Sequence, residues 1–327
     1  MWIFAVNENS GGGRGRKVWQ IVETELKRLG TDYATVLAGT PEEARGEIAS
    51  LLREQDAIAR EAAADSRADD LPRNLKAITI IGGDGTIHGL LPLLCGSGVP
   101  LGIIPAGSGN DTARAFGIPR QPLAALRLVL RGKPFPADII ELRGAEPDDP
   151  VRPVLTALAA GFDSAIAAAV NRSFYKKLCN LMHAGSLAYI IGLIHVLFTF
   201  RPRPLDVTAD GRKTSFQRGW MAAVCNVPAY GGGLRICPEA LPDDGWLNVC
   251  IVHSCTPLQL LRLFPLLLSG KHVRLPYVTM LRGRTIVVEE TLPDPAKSAI
   301  AVYGDGEFAG PLPLYAQAAG NRIEVLR

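Results

Sequence analysis

Several familiar signatures are missing from this chain. Its 327 residues include six cysteines, none in a C-x-x-C pair, and the closest two are Cys250 and Cys255. That spacing argues against a zinc ribbon or dithiol centre and fits the reduced thiols of a cytoplasmic protein. Neither charge sign prevails: 35 Lys and Arg against 32 Asp and Glu leave a net charge of +3. Such a balance gives no field for holding nucleic acid. Met1 leads straight into an apolar run, without the basic n-region or cleavage site of a secretion signal.

One long hydrophobic run is present. Leu178–Phe200 contains no Asp, Glu, Lys or Arg, and its length could cross a bilayer. Lys176 and Lys177 flank one end and Arg201 and Arg203 the other, so no positive-inside bias orients it. His183, Ser186 and His195 interrupt it. We expect a helix buried against the second domain, with a span or a membrane-surface helix as alternatives. Leu258–Leu268 is a second apolar run, read as core ahead of an apolar wall or docking face.

Three glycine-rich loops carry most of the information. They are Asn7-Glu-Asn-Ser-Gly-Gly-Gly13, Gly82-Gly-Asp-Gly-Thr86 and Pro105-Ala-Gly-Ser-Gly-Asn-Asp111. Each follows an apolar run without alternation (Trp2–Val6, Ala77–Ile81, Leu101–Ile104), the pattern of buried parallel strands. Parallel strands bring their C-termini to one edge, where ligands bind. Three glycine turns there offer backbone N–H groups to a polyphosphate. None contains lysine, so a Walker-type loop is excluded.

Between them, Val18, Ile21, Val22, Leu26 and Leu29 recur at helical spacing, Tyr33–Leu37 reads as a strand, and Thr40-Pro-Glu-Glu43 as a capping box. A helix is expected over Gln121–Arg131, and a solvated helix end and loop over Arg60–Arg73. After Lys133 the rhythm changes to short strands: Val154–Leu158, Leu205–Thr208, Trp220–Cys225, Leu247–Val252, Thr285–Val288 and Ala299–Tyr303. Asp210-Gly211 marks a hairpin tip. The expectation is an α/β nucleotide-binding domain over residues 1–134, a doubly wound sheet. An antiparallel β-sandwich follows over 135–327, with the extreme C-terminus able to return to the first domain.

Within these loops Asp84 and Thr86 bring a carboxylate and a hydroxyl close to phosphates. A carboxylate there repels them unless a cation intervenes, which points to Mg²⁺. Asn110 or Asp111 could act at the site or simply cap the helix that follows. Arg14, Arg16 and Lys17 could neutralise phosphate or be solvated. Asp243 and Asp244 could hold a hard cation or form a turn, and Gly304-Asp-Gly-Glu307 taken alone reads as a hairpin tip.

Together, Gly82–Thr86, Pro105–Arg114, Gly161–Asp163, Gly231–Gly245 and Asp305–Glu307 stand in the order found in the diacylglycerol kinase catalytic family, and the chain resembles it from Asn7 to Glu307. These bacterial lipid kinases are related to sphingosine and ceramide kinases, and the resemblance implies an ATP- and Mg²⁺-dependent kinase acting on a lipid hydroxyl, most simply diacylglycerol. It implies a fold like that of NAD kinase and phosphofructokinase in the first domain and a lipid-substrate sandwich in the second. By that analogy Asn7, Glu8, Asn9, Ser10, Gly11, Thr40, Gly82, Gly83, Asp84, Gly85, Thr86, Ser108, Asn110 and Asp111 surround ATP. Glu307 is the base, supported by Asp305, with Asp84 the alternative base. The family's structural Mg²⁺ site maps to Asp244 and the carbonyl of Trp246, but Leu241 stands where a second acid belongs, leaving Asp243 as substitute. His88 and Gly89 also replace the family's Asn-Glu after the second loop.

Two other classes remain open: a soluble kinase of NAD-kinase or phosphofructokinase type, and a nucleotide-binding regulator without transfer activity. The expected partners are ATP and a membrane lipid, met by a cytoplasmic protein in peripheral contact with the inner face of the membrane. A symmetric dimer through an exposed sandwich edge is a further option.

Overall fold

Apolar runs without alternation form the centre of the first unit. β1 (Trp2–Asn7), β3 (Ala77–Gly82) and β4 (Leu101–Pro105) lie in parallel, with β2 (Tyr33–Ala38) outside β1. Every residue of β3 and β4 is buried, as strands covered on both faces must be. The last strand, β15 (Leu314–Leu326), sets its end beside β4 through Val325 and Leu101. The helices are α1 (Ser10–Arg28), α2 (Pro41–Asp65), α3 (Asp84–Leu94), α4 (Asp111–Ala115) and α5 (Pro122–Arg131). α1 packs beside α5 and α2 beside α3. α1 turns Val18, Trp19, Val22 and Leu26 inward, and Trp19 meets Phe4 and Tyr33 in tilted and edge-on aromatic contacts.

The strand order β2-β1-β3-β4 reverses direction at β1. The chain leaves β1 for one side and returns to β3 on the other, so a topological switch point lies between these strands, and the crevice outside their C-terminal ends is where a ligand is expected. That topology places the three glycine-rich loops.

The computed structural model describes residues 1–65, 75–144, 149–166, 196–292, 298 and 300–327. Of the charged stretch 60–73, residues 60–65 complete α2 and 66–73 lie outside the described residues, as do 178–195 of the long apolar run. The chain divides into two units, Met1–Ala137 with Asn321–Arg327, and Asp138–Gly320.

The second unit is antiparallel. β5 (Pro134–Arg143) enters it and pairs with β6 (Arg152–Val154). Then come β7 (Ala157–Gly161), β8 (Arg203–Ala209), β9 (Arg212–Cys225), β10 (Leu247–His253), β11 (Val278–Gly283), β12 (Thr285–Glu290), β13 (Ala301–Gly304), β14 (Glu307–Pro311) and the start of β15. β9 is long enough to pair twice within one continuous sheet: its first half pairs with β8, its second with β7 and β10. Alternation then sorts the side chains. Ala222, Val224, Leu247, Val249 and Ile251 enter one core, while Met221, Ala223, Cys225, Cys250 and Val252 enter another on the opposite face. α6 (Pro257–Ser269) covers that second core with Leu260, Leu263 and Leu267. Asp210 and Gly211 form the β8–β9 tip with φ of 46° and 80°, as a two-residue hairpin turn with positive φ at both positions requires.

Candidate active site

The loops after β1, β3 and β4 touch one another at the C-terminal edge of the parallel sheet. A Cβ added to Gly107 would lie 2.5 Å from Cα of Gly83, and one on Gly83 would lie 3.4 Å from Oγ of Ser10. Gly11 has φ of +59°, and a Cβ there would lie 2.3 Å from the carbonyl oxygen of Ala106. The glycines are required by this close approach, and it gathers the backbone N–H groups of three loops in one place. The loop after β2 joins them, since Asn9 Nδ2 lies 3.8 Å from where a Cβ of Gly39 would be.

Asp84 ties the second loop to the third. Its Oδ2 accepts from Asp111 N at 3.1 Å and its Oδ1 from Thr112 N at 2.9 Å, so the carboxylate caps α4 across the loops. Each oxygen keeps a lone pair beyond that bond, and this donor chemistry fits a hard cation as well. Asn7 Nδ2 donates to Thr86 Oγ1 at 3.0 Å, locking the first loop to the second, and Asn7 Oδ1 accepts from Asn9 N at 3.1 Å.

Other expected residues hold the loops together. Asn110 is buried at φ 53°, and its amide bonds both N and O of Gly107 at 2.8 Å. Arg14 donates to the Gly107 carbonyl, Arg16 pairs with Glu8, and Arg114 pairs with Asp111. Thr40 Oγ1 accepts from Glu43 N while Thr40 N donates to Glu43, the reciprocal capping box. Ser108 stands exposed at the third loop's tip. Gly89 has a packing reason: a Cβ there would lie 2.3 Å from Cβ of Pro41, and Arg45 donates twice to its carbonyl. A longer side chain would force α2 from α3.

In the second unit, Asp305 and Gly306 make the β13–β14 turn with φ of 51° and 87°. The Asp305 carboxylate accepts from Leu155 N at 3.0 Å and from N and Oγ1 of Thr156. These bonds explain why the expected strand Val154–Leu158 is broken into β6 and β7. Asp305 is thus a positioning residue that fixes the tip, leaving Glu307 exposed beside Phe308.

The residues expected to hold a structural cation do not fit one. Asp244 Oδ2 accepts from Arg282 at 2.6 Å and its Oδ1 from Trp246 N, while Asp243 and Leu241 are exposed. Arg282 and Arg284 also lie over the Trp246 ring, 5.0 and 4.9 Å from its centroid. The Arg282 guanidinium engages one oxygen of Asp244, and among the described residues no cluster of three or more His, Cys, Asp or Glu suits a metal.

Residues 1–142 match the diacylglycerol kinase catalytic domain, and residues 156–327 the YegS C-terminal NAD kinase beta sandwich-like domain. A diacylglycerol kinase of Mycobacterium tuberculosis is 34% identical over 98% of this chain and 93% of its own length. The chain belongs to the diacylglycerol kinase family. It is accordingly a lipid kinase, and the family implies ATP as phosphoryl donor. A diacylglycerol kinase of Bacillus subtilis is 27% identical over 74% of each chain. A crystal structure of a diacylglycerol kinase from Bacillus anthracis shares the fold, with a TM-score of 0.66 at 18% identity over 99% of this chain and 96% of that one.

Two supports of this lipid kinase are not apparent from the sequence. Asp138, 1% exposed, takes Gly245 N on its Oδ2 at 2.6 Å, while its own N–H bonds the Pro242 carbonyl. Asn226 bonds the carbonyls of Asp138 and Leu155. Their signal, a polar residue inside an apolar strand run, is too common to single out.

Proposed function

We propose that this kinase transfers the γ-phosphoryl group of ATP to the free hydroxyl of diacylglycerol, giving phosphatidic acid. The observation that supports this most is the convergence of Ser10, Gly83 and Gly107 around the crevice beside β1. Backbone N–H groups there, with those of the α3 N-terminus, would take phosphate oxygens and steady the charge that spreads over them during transfer. Asp84 would hold Mg²⁺, whose chemistry is to neutralise the β- and γ-phosphate oxygens. The acceptor hydroxyl has a pKa far above neutrality, so its proton must leave as oxygen attacks phosphorus. Glu307 takes that proton; the new O–P bond forms as the bond to ADP breaks. Asp305 holds the hairpin so that Glu307 is correctly placed.

The acceptor implies contact with a membrane. Peripheral contact is the proposed mode, and among the described residues, which leave out 167–195, no helix is long and apolar enough to cross a membrane.

The test is transfer from γ-labelled ATP with detergent-dispersed diacylglycerol, and in parallel with sugars and NAD. Label in the organic phase, lost with Asp84→Asn, is the expected result. Label confined to the aqueous phase would instead mark a soluble-acceptor kinase, and ATP binding without transfer a regulator.

A further inference from the structure

α6 is apolar on two opposite faces. Leu260, Leu263 and Leu267 enter the core, while Leu258, Leu261 and Leu268 stand 59%, 43% and 65% exposed. With about 100° per residue, Leu258, Leu261, Pro265 and Leu268 fall within an arc of about 80°. That arc lies opposite the buried one. Single exposed leucines are ordinary, but a row of them along one helix face marks a contact surface.

The charge along this stretch of chain points to what covers the row. No Asp or Glu occurs between Asp244 and Glu289, while that stretch carries Arg262, Lys271, Arg274, Arg282 and Arg284. Arg282 is matched by Asp244. Arg262, on α6, and Lys271 and Arg274, on the turn of 3-10 helix that follows Gly270, are exposed. An acid-free helix with leucines outward and cations at its side suits the interface of an anionic bilayer, where apolar side chains enter the acyl boundary and basic ones remain among the headgroups. A protein partner would be expected to meet some acidic counterpart on such a surface.

We propose that α6 is the element that docks this kinase onto a membrane rich in anionic phospholipid. The inference rests on the reading of the acceptor as a membrane lipid. It adds the surface, the orientation of α6 parallel to the bilayer, and the lipid charge that recruits it.

The experiment is co-sedimentation of the full chain with vesicles of phosphatidylcholine alone or mixed in equal parts with phosphatidylglycerol. Wild type pellets with the anionic vesicles and little with the neutral ones. Leu258→Gln/Leu261→Gln/Leu268→Gln lowers the partition coefficient at least tenfold. Arg262→Gln/Lys271→Gln/Arg274→Gln lowers it by about a hundredfold, at about fivefold per basic residue, on anionic vesicles only. All six positions are exposed, so the melting temperature stays within a few degrees of wild type. Transfer to diacylglycerol in detergent micelles is unchanged in both variants, while transfer on vesicles falls with binding. Wild type that ignores anionic vesicles, or variants that bind them equally, overturn the proposal. So does a wild-type dimer that the leucine variant converts to monomer, since the face would then pair with its own copy. Vesicle binding without transfer to any lipid leaves docking standing and removes the proposed function.

Discussion

Gly83 and Gly107 stand so close that the loops after β3 and β4 have room for no side chain between them: a Cβ on Gly107 would lie 2.5 Å from Cα of Gly83. Because the obstacle is backbone, it cannot rotate away. Gly107→Ala is therefore expected to spread the loops, weakening ATP binding at least tenfold by calorimetry and costing about 1–3 kcal/mol of stability. Unchanged affinity would show that the loops do not form the phosphate cradle.

Gly89 makes the opposite case, where restoring a family residue does harm. With Pro41 Cβ 2.3 Å from an added Cβ, Gly89→Glu should destabilise the protein by about 1–3 kcal/mol in urea unfolding. It should bring no gain in transfer rate.

Arg282 supplies the positive charge beside Asp244 at 2.6 Å. Without nucleotide, EDTA or added Mg²⁺ should leave the melting temperature unchanged. The pair is partly exposed, so Arg282→Met should cost at most about 1 kcal/mol. A melting temperature that rises with Mg²⁺ in wild type and not in Asp244→Asn would restore a metal at this loop.

His272 is fully buried; its Nε2 lies 3.0 Å from the Ile236 carbonyl, and its Nδ1 has no partner. Burial lowers its pKa, so the folded state resists the proton that the unfolded chain accepts below about pH 6.5. The unfolded state then binds more protons, and stability falls as pH drops through that value toward the folded pKa. His253, also lowered by burial, contributes in the same direction. His272→Gln, whose amide can still reach Ile236, should show a shallower loss of melting temperature between about pH 7 and pH 5.5.

Much of this was legible in the sequence because local chemistry and global fold agree. The largely apolar runs Ala77–Ile81 and Leu101–Ile104, without alternation and bounded by glycine turns, read as strands buried on both faces, and the glycines after them suit a close approach. Asp210-Gly211 likewise announces its turn. What stayed hidden depends on contacts distant in sequence. Nothing near Asp305 shows that its carboxylate will cap Leu155 and Thr156, 150 and 149 positions away. Nothing near Asp244 announces Arg282, 38 positions on. The run Leu258–Leu268 reads as core ahead of surface because periodicity counts apolar residues but not neighbours. Only the packed sheet shows that Leu260, Leu263 and Leu267 are covered while Leu258, Leu261 and Leu268 are not.

The most direct test of catalysis is Glu307→Gln, measured for γ-phosphoryl transfer to diacylglycerol alongside ATP affinity and melting temperature. Glu307 is exposed and removal of its charge leaves the Asp305 anchor intact. Transfer should fall by about 10²–10⁴ while affinity and melting temperature hold. Transfer within twofold of wild type would contradict the assignment of Glu307 as the base and return that role to Asp84.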